Sequence, residues 1–326
     1  MPTLSDAPGG AWFLLLVVVA AALTAALLWP AAGPRTALAL AAVTLVAGVA
    51  SREPTLALVC PAFAAVTWWW DRRGWLDRSR LAGLPRQAAL AGSGFGAYLL
   101  GRVLVRGDPD VATENARAVI DFEKSLGLWI EHDVQRLLGF GAWGDFFAWV
   151  YSFLYHPIPL AALLVLYVAD RTGYRYLRNA LALSIPLGLL TILAFPVAPP
   201  RFIPELGIVD TVAEGGRERV LANAYAAIPS FHVGWLALVG FVAAVRFPRW
   251  YVLLLAPVPA VLMTLAVMAT GNHYWVDPLA GTVLATGPLA GYLAWRRWAA
   301  GTGMAGRIRR PDRRTWMTLR RRRPAP

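Results

Sequence analysis

Apolar residues run in blocks along this chain, at 11–29, 36–50, 55–70, 88–106, 146–169, 179–199, 231–247, 250–270 and 278–295. Crossing the hydrocarbon of a bilayer takes roughly 20 residues of helix, and several blocks reach or approach that length. A backbone surrounded by lipid has to satisfy its own hydrogen bonds, so each block is predicted to be a helix. The 36–50 and 55–70 pair is short and is split by Ser51-Arg52-Glu53-Pro54. The block at 11–29 has no basic flank, only Asp6, and is too long for the apolar centre of a signal peptide. The stretch at about 111–138 sets Val111, Ala118, Val119, Phe122, Leu126, Trp129 and Ile130 against Glu114, Arg117, Asp121, Glu123 and Lys124. That alternation predicts a helix lying in the membrane interface, with Glu123, Glu131 and His132 solvated.

Composition sharpens this into an integral membrane protein. Hydrophobic residues make up 58% of the 326 and charged ones 15%. Cys60 is the single cysteine, so no intrachain disulfide forms. The net charge of +12 would suit nucleic acid, but the arginines gather in short loops and the tail, without interleaved aromatics for base stacking, so nucleic acid is excluded as a partner. The tail 296–326 carries eleven arginines, Arg320 to Arg323 among them, against Asp312 alone. Arg72, Arg73, Arg78, Arg80 and Arg86, then Arg171, Arg175 and Arg178, then Arg246 and Arg249 mark three more basic loops, on the same side when nine helices are counted through. Positive residues stay inside. The C-terminus is therefore expected in the cytoplasm of a bacterial plasma membrane, with basic loops and tail touching anionic lipid. Trp12, Trp29, Trp143, Trp149, Trp250 and Trp295 stand near helix ends, as an aromatic belt requires. Gly92, Gly94, Gly96 and Gly101 read as close helix packing.

Four histidines carry the candidate chemistry: His132, His156, His232 and His273. His232 stands in Pro229-Ser230-Phe231-His232, where an outward helix begins. His273 stands in Thr270-Gly271-Asn272-His273-Tyr274-Trp275-Val276-Asp277, joining the last two helices on that side. Arg201 follows Pro199-Pro200 at the same depth. This set suits a phosphoester. Arg201 presents a planar fork to phosphate oxygens, and Ser230 with the backbone N–H of Phe231 forms an anion site at a helix start. Asp277 four residues after His273 shares its face if that stretch is helical. It would orient the ring for nucleophilic attack, leaving His232 as general acid. His156, Tyr155, Asn272 and Tyr274 are candidate substrate-cavity residues. A zinc reading of His232, His273 and Asp277 lacks a further cysteine or carboxylate at the outer helix ends, and Arg201 would repel the ion; no metal and no cofactor are expected.

These residues resemble the type 2 phosphatidic acid phosphatase superfamily, whose motifs read Lys-x6-Arg-Pro, Pro-Ser-Gly-His and Ser-Arg-x5-His-x3-Asp. The resemblance covers about 88–295 and implies His273 as nucleophile, Asp277 as its partner, His232 as acid and Arg201 as phosphate clamp, without metal. Ala194 stands at the lysine position, Phe202 and Phe231 replace proline and glycine, and Ala266-Val267 replaces Ser-Arg. The form Thr-x-x-His-Tyr-aromatic-Val-Asp is similar to the inositol phosphorylceramide synthases, the inositolphosphotransferase branch. It implies headgroup transfer between lipids, with a lipid phosphatase as the alternative. A phosphodiester bears less charge than a monoester, consistent with fewer cations, and Arg217 and Arg219 are a further source of charge.

The expected fold is an all-α integral membrane protein with a six-helix phosphatidic acid phosphatase-like core. Residues 1–87 form three accessory helices and a basic loop, 88–295 the catalytic membrane domain, and 296–326 a basic tail without order. The expected substrate is a lipid or polyprenyl phosphoester. A non-catalytic transporter or scaffold on the same fold is the alternative from another class; no internal repeat supports it.

Overall fold

A computed structural model describes residues 107–212 and 225–302, together with residues 87, 98, 101, 105 and 223. The predicted helices at 11–29, 36–50 and 55–70, nearly all of 88–106, Arg217 and Arg219, and the tail beyond 302 lie outside the described residues. Within the described residues the architecture is helical. Its helices are α1 (Pro109–Ser125), α2 (Glu131–Leu138), α3 (Gly141–Phe153), α4 (Pro157–Ala169), α5 (Arg171–Ala194), α6 (Phe231–Arg246), α7 (Trp250–Leu255), α8 (Val258–Ala269) and α9 (Val276–Gly301). Two units divide the chain after Thr286; the second contains the C-terminal part of α9.

Arg171–Ala194 and Trp250–Ala269 are long and apolar enough to cross a membrane, and Gly141–Ala169 makes a third if its two bent helices count as one span. That last segment differs from the single straight block expected over 146–169. His156-Pro157 breaks it, and α3 and α4 meet at 46°, because proline supplies no N–H to the preceding turn. The interfacial helix expected over about 111–138 is also two helices. Asp108 caps α1 by accepting from the N–H groups of Asp110 and Val111, and the chain turns at Gly127, whose φ of 68° suits a residue without Cβ.

The face of α1 that turns inward is Ala112, Ala116, Val119 and Ile120, which pack with Val197, Ala198, Ile203 and Tyr274. Small side chains let α1 lie close on the segment after α5, and the Ala198 N–H donates to the Ala112 carbonyl at 3.0 Å. Val111, Phe122 and Leu126 face outward, so the apolar residues of α1 serve two surfaces.

Helix α6 occupies the middle, packed on α8, α5 and α4, while α8 also packs on α2 and α3. The Trp235 indole donates to Ser184 Oγ at 3.1 Å, and Ser184 donates to the Leu181 carbonyl, which fixes α6 against α5. At the other end of α6, Arg246 forks onto Asp170, the cap of α5, at 2.6 and 3.1 Å.

Candidate active site

Two glycines set the distance between the helices that carry His232 and Asp277. A Cβ on Gly234 of α6 would meet the Gly281 carbonyl oxygen at 2.5 Å, and one on Gly281 of α9 would meet the Ser230 carbonyl oxygen at 2.1 Å. The start of α6 therefore lies backbone-to-backbone on the start of α9. The Ser230 N–H donates to the Asp277 carbonyl at 3.2 Å, so the two motifs are hydrogen-bonded directly.

The loop between α8 and α9 is built to present one imidazole. Helix α8 ends at Ala269; Gly271, at φ 72°, reverses the chain, and the N–H groups of Asn272 and His273 both donate to the Val267 carbonyl, at 3.0 and 3.2 Å. Asn272 ties the loop further by donating to Thr270 Oγ1 at 2.9 Å. His273 lies in this non-helical stretch and Asp277 in the first turn of α9. The pair meets because the carboxylate folds back across the turn, not because both side chains share a helix face. His273 Nδ1 is 3.0 Å from Asp277 Oδ2, which also accepts the Tyr274 N–H at 2.9 Å. A carboxylate there accepts a hydrogen bond from Nδ1–H, which fixes the tautomer and leaves Nε2 with its lone pair.

His232, the second residue of α6, approaches from the opposite side, its ring centroid 5.9 Å from that of His273. Tyr151 and Tyr155 flank it at 4.7 and 4.2 Å. Arg201 sits in the short 3-10 turn Pro200–Phe202 and is bound to the same loop: its N–H donates to the Gly271 carbonyl at 3.1 Å, and Nη1 donates to Asn272 Oδ1. Its Nε is 3.3 Å from Asp210 Oδ2. Tyr151, Arg201, Phe231, His232, Asn272 and His273 line one cavity of about 70 Å³, room for several waters at the roughly 10–15 Å³ each requires. Ser230 is fully buried beside Phe231, and its Oγ has no hydrogen-bond partner among the described residues; the same holds for Asp277 Oδ1.

The arrangement brings Arg201, His232, His273, Asp277 and Asn272 together. Other expected cavity residues stand elsewhere. His156 is exposed at the break before α4, its ring against Tyr155 at 3.8 Å. Tyr155 is buried behind His232, and Tyr274 is core, its hydroxyl donating to the Ala198 carbonyl at 3.0 Å. Ala194 ends α5 and Val267 is buried within α8, so neither missing motif cation has a substitute at its own position.

Sequence reasoning missed Tyr151 and Asp210, which carry no motif signal. It also misplaced Glu123 and Glu131, which are buried at 0% and 1% exposure instead of solvated. Burial first, then the neighbouring Glu131 carboxyl, pushes Glu123 up to about 9, and burial also raises Glu131. The spacing of Ala112, Ala116, Val119 and Glu123 follows one helical stripe, and that was the available signal.

A family model described as the PAP2 superfamily matches residues 117–290. No curated protein and no solved structure matches the chain.

Proposed function

Because the chain belongs to the PAP2 superfamily, whose members are generally phosphatase-type enzymes, we propose that it cleaves or transfers a lipid phosphoester through a phosphohistidine on His273. The observation that carries this is the His273–Asp277 contact at 3.0 Å, opening on the cavity that His232 and Arg201 also line. His273 Nε2 attacks phosphorus while the bond to the lipid oxygen breaks, and His232 gives that oxygen its proton. In the second half an acceptor O–H attacks the phosphohistidine, the P–N bond breaks, and His232 takes the acceptor's proton. Arg201 and the amides at the start of α6 balance charge on the phosphoryl oxygens.

The acceptor is proposed to be an alcohol, as in the inositolphosphotransferases, and the substrate a phosphodiester. The low cationic charge of the site supports this reading: Ala194 and Val267 contribute none, and Asp210 lies 3.3 Å from Arg201. A monoanion asks less of such a site than a phosphomonoester dianion. We further propose that the site faces away from the cytoplasm. His232 stands in the first turn of α6 and Arg246 ends it, and Arg171 and Arg175 lie near that basic end, beside the Asp170–Arg246 pair.

The test uses the full chain in lipid nanodiscs with chelator present. A headgroup-labelled phosphodiester lipid plus an acceptor alcohol, and a labelled phosphomonoester lipid, are supplied to wild type and His273→Ala. Transfer of label to the alcohol, lost in the variant, supports the reading. Release of inorganic phosphate from the monoester alone replaces transfer with hydrolysis. No turnover of either, and no acid-labile label on the protein, refutes the enzymatic proposal.

A further inference from the structure

Helix α9 begins with N–H groups that need acceptors, and its own first-turn acid does not supply them. Asp277 turns back toward His273 and Tyr274. The acceptors come instead from two distant helices: Glu131 Oε1 accepts the Trp275 N–H at 2.8 Å, and Glu123 Oε1 accepts the Val276 N–H at 3.1 Å. Glu131 Oε2 also accepts the Ile130 N–H at 3.0 Å. Both carboxyl groups are buried, Glu131 is the neighbouring carboxyl of Glu123, and the buried Glu123 Oε2 has no hydrogen-bond partner among the described residues.

We propose that Glu123 and Glu131 are a positioning pair that shares a single proton, clamps the backbone of Trp275 and Val276, and thereby aims the His273–Asp277 pair at the cavity. This rests on His273 being the reacting group. Two buried carboxyls in contact cannot both ionise at small cost, so one proton stays and forms an O–H···O bond between them. The single remaining negative charge faces a helix N-terminus, where it is favourable. The charged groups that bear on Glu123 are Glu131 from α2 and Asp277 from α9, both acidic; the Tyr274 phenol is the other titratable group nearby. Loss of the shared proton therefore sets three carboxylates against one another around the loop. The clamp is released in alkali, and with it the alignment of His273.

The experiment compares wild type, Glu123→Gln and Glu123→Ala, each as the full chain in nanodiscs, by turnover against pH and by melting temperature against pH. Glutamine supplies both an acceptor and a donor without a titrating proton. Turnover of wild type is expected to fall above about pH 9, where Glu123 loses its proton, and that limb is expected to move at least about one pH unit higher in Glu123→Gln. Glu123→Ala is expected to lose about 10- to 100-fold in kcat with KM within about threefold, the signature of misaligned chemistry. A carboxyl held above its ordinary 4.5 stabilises the fold fully below that value and ceases to do so as pH rises to about 9. Melting temperature of wild type should accordingly decline across that window, and Glu123→Gln should flatten the decline. The melting arm does not depend on the reaction, so a chain that turns over no substrate still tests the pair. The proposal is overturned if Glu123→Gln keeps the wild-type profile in the melting arm, or shows turnover with an unmoved alkaline limb. Should the alanine variant fail to fold, the glutamine variant decides.

Discussion

Adding one methyl group at Gly281 should silence the site without unfolding the protein. A Cβ there meets the Ser230 carbonyl oxygen at 2.1 Å and its carbon at 2.9 Å. Both are backbone atoms, so no side chain can swing aside. Ordinary contact begins near 3.4 Å, and Gly281→Ala must open the crossing by about 1.3 Å. The part that moves carries Ser230, Phe231 and His232, and the fixed part carries Asp277, whose carbonyl receives the Ser230 N–H. A displacement of about 1 Å in a reacting group costs on the order of 10²-fold in rate, and overpacking costs roughly 1–3 kcal/mol in stability. The variant should therefore remain folded by circular dichroism, melt lower, and show about 100-fold lower kcat in the transfer assay. Gly287→Ala is the control on the same helix, since a Cβ there meets none of the described residues within 4 Å; it should match wild type or gain about 0.4–1 kcal/mol. Gly281→Ala with kcat within threefold of wild type and an unchanged melt would refute the claim that this crossing sets the spacing of the two histidines.

Two further outcomes follow from the geometry. Ser230→Ala should leave both the melting temperature and KM nearly unchanged, because its Oγ is buried without a partner among the described residues and Ser230 does not line the cavity. At the other end of α6, hydrogen bonding from Arg246 holds the Asp170 carboxyl below its ordinary 3.8. A depressed carboxyl stabilises the fold above its unfolded value and loses that contribution as pH falls through the folded one. Asp170→Asn should thus cost about 1 kcal/mol at neutral pH, and its melting temperature should fall less than that of wild type on acidification below about pH 4.

The grouping of the candidate site residues was legible where it depends on residue type and spacing along the chain. His273 and Asp277 were found as a pair, although the contact comes from a turn and not from a helix face. Arg201 and His232 were singled out because each was expected beside a helix end at the same depth, and both line the cavity. Contacts between distant segments left no such mark: Asp210 beside Arg201, Tyr151 against His232, and Gln135 holding both the Val209 and Ala269 carbonyls depend on how helices cross. The α3–α4 bend was written in Pro157, but hydropathy averages over a single proline and returns one block. Glu123 was misread because charge was weighed above position. Its register with Ala112, Ala116 and Val119 puts it on the inner stripe, where only a carboxyl with backbone N–H partners can stay.

Helices α1 and α2 and the turn between them have a polar inner side and a greasy outside. Glu123 and Glu131 face in, while Phe122, Leu126, Leu128, Ile130 and Leu137 are exposed. Such an outer face suits the headgroup and acyl boundary of a bilayer. A substrate that reaches the histidines from the surrounding lipid arrives by sideways diffusion in a two-dimensional phase, so the concentration that governs the rate is its mole fraction among those lipids. Diluting the substrate with inert lipid at constant bulk concentration would slow such an enzyme, whereas adding buffer would not.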